Sequence, residues 1–137
     1  MKIAVTANGI DLDAPVSSVL GRCLAYVLVD TETMHAETTE NPATDTLRGA
    51  GFEAAGFIVE RGAKAVLTGS VGPNAFHVLQ AAGVPVYLSG RGTVREAVTA
   101  YVLGRLQLME GANVATHSGA TGAQEQAQAV GSVKDKR

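Results

Sequence analysis

Apolar residues fall in short bursts through the first half of the chain and at helical spacing through much of the second. Ile3 to Thr6 is a compact β-branched run closed by Asn8-Gly9, and Ala25 to Val29 is a second run closed by Asp30 to Thr33. Both patterns predict buried strands bounded by turns. Between them, residues 11–23 carry Pro15, Ser17, Ser18 and Gly21, which makes a long loop. Met34 to Thr39 is polar but β-permissive, so it is expected to pair back on the second strand as an edge hairpin.

Asn41-Pro42 breaks the chain, and Phe52, Ala55, Ile58 and Val59 then recur at helical spacing within 49–61, with Gly62 placed to end the helix. Ala65 to Thr68 is the next strand. A glycine-proline turn over 69–74 leads into a helix at 75–82, with Pro73 suited to its first turn. Val84 to Leu88 forms another strand, and Thr93-Val94-Arg95-Glu96 has the capping-box spacing that opens a helix running to about Met109. The order strand, strand, strand, helix, strand, helix, strand, helix, with short helix-to-strand links, implies right-handed crossovers. It predicts an α/β fold on a mixed five-stranded sheet. Beyond Met109 no Phe, Tyr or Leu recurs. Residues 1–110 are therefore expected to form one domain, and 111–137 a flexible polar tail.

With 137 residues, 46% of them hydrophobic, the chain suits a single core. A net charge of -2 gives no global basic field, and six Phe and Tyr with no Trp offer few stacking platforms, so nucleic acid is not expected as a partner. No apolar window approaches a membrane span or an export signal. The expectation is a cytoplasmic protein without a membrane partner. A single cysteine, Cys23, excludes an internal disulfide or a nest of four thiolates.

Ligands of open α/β sheets collect beyond the carboxyl ends of the parallel strands. Three segments are expected there: Asn8 and its neighbours, the 69–74 turn and the 89–93 loop. Two of them enter helices, whose first N–H groups and dipoles favour an anion. Gly69, Gly72, Gly90 and Gly92 leave the backbone approachable, and Arg22, Arg48, Arg91 and Arg95 supply local charge. The same residues would also serve as plain turn formers and solvated charges. Cys23 is either a soft ligand or a small core residue, since the apolar Leu24 to Val29 run adjoins it. Of His35, His77 and His117, none has a metal-site spacing, and His77 is best placed because it follows the Gly72-Pro73-Asn74 turn. Asp11, Asp13, Asp30 and Glu32 sit in turns. The first strand has no carboxylate for two-metal hydrolysis, and catalysis is not indicated.

These residues also carry a resemblance. Met1 to Val5, Gly21-Arg22, Glu40-Asn41-Pro42, Gly49-Ala50-Gly51, Thr68-Gly69 with Gly72 to Phe76, and Thr93 to Ala97, in that order, resemble the dinitrogenase iron-molybdenum cofactor biosynthesis family, in particular its stand-alone orange-protein-like branch. The family includes NifX, NafY and the C-terminal part of NifB. The resemblance implies a ribonuclease-H-like three-layer fold, with helices on both sheet faces and no nuclease activity. It further implies a non-enzymatic carrier for an anionic molybdenum-containing metal-sulfur cluster (Fe-Mo-S or Mo-Cu-S), exchanging it with donor and acceptor proteins. Asn8, Gly21, Arg22, Cys23, Gly69, Gly72, Pro73, Asn74, Arg91 and Arg95 become the candidate contacts, with Cys23 and His77 as candidate metal ligands. Where the family usually carries His-Phe ahead of Gly-Arg, this chain has Val19-Leu20, so a histidine ligand is missing there. A metal-free interaction module on the same fold is the alternative.

Overall fold

The computed structural model describes residues 1–41 and 50–113. Expectations that fall on Arg48, His117 or the remainder of the tail lie outside the described residues. The chain forms β1 (Lys2–Ala7), β2 (Ala25–Asp30), β3 (Ala36–Glu40), α1 (Ala50–Glu60), β4 (Val66–Thr68), α2 (Pro73–Ala81), β5 (Val86–Leu88) and α3 (Val94–Val102). The strands build one mixed sheet in the order β3-β2-β1-β4-β5. The first three pair antiparallel, while β1–β4 and β4–β5 are parallel.

This order fixes the layers. From β3 the chain crosses through α1 to β4, and from β4 through α2 to β5, moving the same way along the sheet both times. Right-handed crossovers in one direction put both helices on one face. The core divides accordingly. Ala54, Ala55 and Ile58 of α1 and Ala75 and Leu79 of α2 pack on Ala4, Tyr26, Leu28, Val66 and Val86. Val94, Ala97 and Val98 of α3 pack with Ile3, Val5, Val27, Val29 and Leu67 on the opposite face. Alternation along β1 and β2 thus feeds two cores, which is why both strands are almost continuously apolar.

The helix at 75–82 begins earlier, at Pro73, the strand at Val84 to Leu88 begins later, at Val86, and two further boundary differences have a local cause. The last helix ends at Val102 rather than near Met109, because Gly104 takes a left-handed φ of 73° and stops it. The chain then returns along the sheet: Leu88 N–H donates to Gln107 O at 2.9 Å and Met109 N–H to Val86 O at 2.8 Å. Residues 107–109 thereby cover the β5 edge, which would otherwise expose unpaired backbone. The hairpin strand begins at Ala36, two residues later than expected, because the turn extends through Met34 at φ 61°. Asp30 holds that turn by accepting from the Glu32 and Thr33 amides at 2.8 and 3.4 Å. The Glu32 amide is the main reason its carboxyl lies below the ordinary aspartate range.

The long loop is the most heavily bonded part of the fold. Ser17 N–H donates to Thr6 O at 2.8 Å, and the Thr6 hydroxyl donates to Ser17 O at 2.6 Å while pairing with the Thr68 hydroxyl at 2.9 Å. Leu20 N–H reaches Ser70 O at 3.3 Å, and the Ser70 hydroxyl donates to Ser18 O at 2.8 Å. Gly69 lies so close beneath that a Cβ there would stand 2.8 Å from Ser18 O and 2.9 Å from Ser18 Cα. Both are backbone atoms that cannot swing aside, so Gly69→Ala should lower stability by roughly 1–3 kcal/mol, the usual range for overpacking a tight site. Denaturant unfolding of the variant checks this, and an unchanged midpoint would refute the contact.

Candidate functional site

Strand polarity gathers the candidate segments at one edge. The carboxyl ends of β1, β3, β4 and β5 lie there together with the start of β2, since Ala7 faces Ala25 and Ala25 faces Glu40. The 8–24 loop, Asn41, the 69–72 turn and the 89–93 loop all leave from this edge. So do the starts of all three helices.

The helix starts are not equivalent. At α3 the chain itself uses the N–H groups. Thr93 N–H donates to Glu96 Oε1, Glu96 N–H to Thr93 Oγ1, Val94 N–H to Ala14 O at 2.9 Å and Arg95 N–H to Leu12 O at 2.8 Å. Of the two helix starts expected to be open, this one is closed by a capping box and by the 11–15 turn, which corrects the expectation of free first-turn groups. Gly92, at φ 108°, shapes that junction, and its carbonyl accepts from Val16 N–H.

The other face differs. Gly72 caps α2 without a side-chain bond, Pro73 has no N–H, and the Asn74 and Ala75 amides hydrogen-bond to no described residue. The first turn of α1 abuts this start: a Cβ at Gly51 would sit 3.2 Å from Ala75 Cβ. Two parallel helices therefore bring their positive dipole ends together. Sequence reasoning did not place α1 beside α2. The missing signal was the strand order, which alone puts α1 beside α2.

Arg22 belongs to this corner. Val19 bridges Ser70 in parallel, and Arg22 N–H donates back to Val19 O at 3.4 Å, so Gly21-Arg22 form a turn just after that bridge. The Arg22 side chain is exposed. Its loop is held by Asn41, 3% exposed, whose Nδ2 donates to Gly21 O at 3.1 Å and Cys23 O at 2.9 Å, while Asn41 N–H donates to Leu24 O. Asn41 was part of the sequence resemblance but not of the candidate contacts. Asn8, Pro73, Asn74, His77 and Arg91 are exposed, and Gly72 has the ordinary extended backbone (φ -80°, ψ 174°) that any residue adopts.

Gly69, Arg95 and Cys23 are each engaged within the chain in a way that bears on their candidacy. Gly69 lies under Ser18, so the chain itself occupies the space a side chain would need. The Arg95 guanidinium meets Asp13 at 3.2 Å on the closed α3 side. Cys23 is 0% exposed within the α1–α2 core, its thiol 3.5 Å from Leu20 O, the carbonyl that also accepts the Tyr26 hydroxyl at 2.7 Å. Burial pushes the Cys23 thiol up to about 11 and raises Tyr26 as well. Among the described residues no group of three or more His, Cys, Asp or Glu is placed to hold a metal ion, and no helix is long and apolar enough to cross a membrane. A shallow groove of about 430 Å³, lined by Thr31, Tyr87, Tyr101, Val102, Gly104 and Leu106, carries no charged side chain.

The layers define a three-layer α/β domain, with the Asn74 amide at the start of α2 hydrogen-bonded to no described residue. The profile of the dinitrogenase iron-molybdenum cofactor family matches residues 1–104, and the chain belongs to that family. It is similar to the apo form of the orange protein from Desulfovibrio gigas, with 43% identity and a TM-score of 0.78 over 82% of this chain and 95% of that one. A NifB-like protein from Thermotoga superposes with a TM-score of 0.69 at 36% identity, covering 80% of this chain and 98% of that one. An uncharacterised protein of Methanocaldococcus jannaschii is 28% identical over 113 residues, 80% of this chain and 92% of its own length. The family and its orange-protein neighbour support a cofactor-binding or carrier role.

Two predictions follow from the buried groups. Asn41→Asp sets a carboxylate against two carbonyl oxygens, so it should lower stability more at pH 8 than at pH 5, where protonation restores a donor; equal losses at both would refute the pinning role. For Cys23, the folded value of about 11 exceeds the ordinary 9.0, so the unfolded chain loses this proton first. The stability it contributes is full below pH 9 and falls between 9 and 11, by roughly 2–3 kcal/mol at most. Cys23→Ala should flatten that part of the stability-pH curve, and an unchanged slope would refute it.

Proposed function

We propose that this chain binds and carries a preassembled anionic molybdenum-containing metal-sulfur cluster, Fe-Mo-S or Mo-Cu-S, as cargo and without catalysis. In this reading the domain is a cytoplasmic ribonuclease-H-like carrier that receives its cargo from a donor protein and passes it to an acceptor. The observation that carries it is the corner where α1 abuts the start of α2, with the exposed Asn74 amide hydrogen-bonded to no described residue, next to the loop that bridges Ser70 and turns at Arg22.

A sulfide-faced anion presents acceptors and no donors, so the groups that suit it are N–H groups and guanidinium. The Asn74 amide and side chain supply the first, and Arg22 the second. Arg91, exposed on the 89–92 loop of the same edge, adds charge from the far side of β4. Asn8, Gly21, Gly72 and Pro73 contribute backbone shape, and Gly69 contributes through the packing of the loop above it. Cys23 acts as a core residue, because a thiolate ligand would have to shed a proton held to about pH 11 and leave the core. His77, exposed on α2, stays at the margin of the cargo.

Anaerobic loading of the full chain with tetrathiomolybdate and copper, followed by metal analysis and a visible spectrum, tests the proposal. Stoichiometric molybdenum with a protein-dependent absorption band is expected. Arg22→Ala should weaken retention by roughly tenfold, the scale of one charge-assisted hydrogen bond. Arg95→Ala, on the closed α3 side of the sheet, should change it far less. Failure to retain molybdenum, copper or iron under any loading condition would overturn the carrier reading and leave the metal-free interaction module.

A further inference from the structure

Residues 105–113 lie beyond the 1–104 span matched by the family, yet they are firmly attached. After pairing along β5, the chain buries Met109 in the core cluster that also holds Val71. It then turns across the sheet edge and brings Asn113 onto the loop between β4 and α2. Three hydrogen bonds join them: Val71 N–H donates to Asn113 Oδ1 at 2.8 Å, Asn113 N–H to Val71 O at 3.0 Å, and Asn113 Nδ2 to Gly69 O at 3.0 Å.

We infer that Asn113 is a positioning residue for the cargo, setting the loop that presents the open start of α2 and thereby how long the cargo is held. The inference rests on the carrier reading above and adds a residue that the family span does not contain. The loop runs from Gly69 to Gly72, the cap of α2. The 18–20 segment holds it on one side only, through Ser70. Asn113 fixes the residues on either side of Ser70, so the α2 amides are presented without an ordering cost at the moment of binding. Without that pin the bound state must order the loop itself, and the loss falls chiefly on the dissociation rate.

The test uses the full chain, loaded anaerobically with tetrathiomolybdate and copper, diluted into a copper chelator and followed by decay of its visible band. Asn113→Ala should release the cluster roughly tenfold faster, the scale of one or two net hydrogen bonds, with faster hydrogen exchange at the Val71 amide. Met109→Ala is the reference, because it loosens the same strap from the core side and leaves the three hydrogen bonds in place. If release in both variants simply follows the loss of melting temperature, Asn113 is structural only and the inference is overturned. Release from Asn113→Ala at the unmodified rate overturns it too, while the carrier reading stands. No uptake by the unmodified chain overturns that reading and this inference together.

Discussion

The fold's functional edge depends on one stretch of irregular chain, residues 12–20, lying across the carboxyl ends of the strands. Its backbone bonds to Thr6 at the end of β1, to Ser70 after β4, to Gly92 after β5, and to the first-turn amides of α3. Three separate exits of the sheet, and the start of α3, are thus tied to a single segment. Each bond is worth about 1 kcal/mol net, but a carbonyl or amide left unpaired in this packed layer would cost more than its bond contributes. The segment is therefore hard to change piecemeal, and it decides which helix starts remain open. It spends the Leu12 and Ala14 carbonyls on the first-turn amides of α3, whereas its bonds to the loop leading into α2 go to Ser70 and leave the α2 amides alone.

Under the proposed reading, that division of labour is how an acidic chain would present a corner to an anion. A helix start contributes only about 0.3–1 kcal/mol to an exposed negative charge, so one start alone is a weak site. In the proposed reading, the contact between α1 and the start of α2, together with the Arg22 turn that follows the Val19–Ser70 bridge, adds several modest terms. On the α3 side the positive end is already used within the chain, and Arg95 is matched by Asp13. The net charge of -2 is thus compatible with a locally positive corner on one face and a neutralised one on the other.

Much of this was legible from the residues. The capping box at Thr93 to Glu96 marks the start of α3 because the bonds that make it are local, and the β-branched runs mark the buried strands because burial on both faces leaves no polar alternation. The end of α3 was misread because Val102 to Met109 stays apolar enough to continue a helix, while the competing pairing of 107–109 with β5 is a contact the local sequence does not advertise. The same limit hid the closure of α3. Its partners are the carbonyls of Leu12 and Ala14, and a carbonyl has no residue identity to read. Gly69 shows the converse: glycine there announces a close approach correctly, but the approaching atom is Ser18 rather than a ligand.

The two asparagines at this corner bear on why it suits an anion. Carbonyl oxygens at a loop edge carry partial negative charge and would repel an anionic cargo if turned toward it. Asn41 covers the Gly21 and Cys23 carbonyls, and Asn113 covers those of Gly69 and Val71, each with N–H donors and no formal charge. A lysine could cover the same oxygens, but its flexible ammonium loses more side-chain freedom on being fixed and cannot also accept from Val71 N–H. An aspartate would add negative charge where the cargo needs none. Asparagine is the side chain that satisfies carbonyls and an amide together while leaving the field to the helix starts and Arg22, so the neutral pins belong to the electrostatics of the corner as much as to its rigidity.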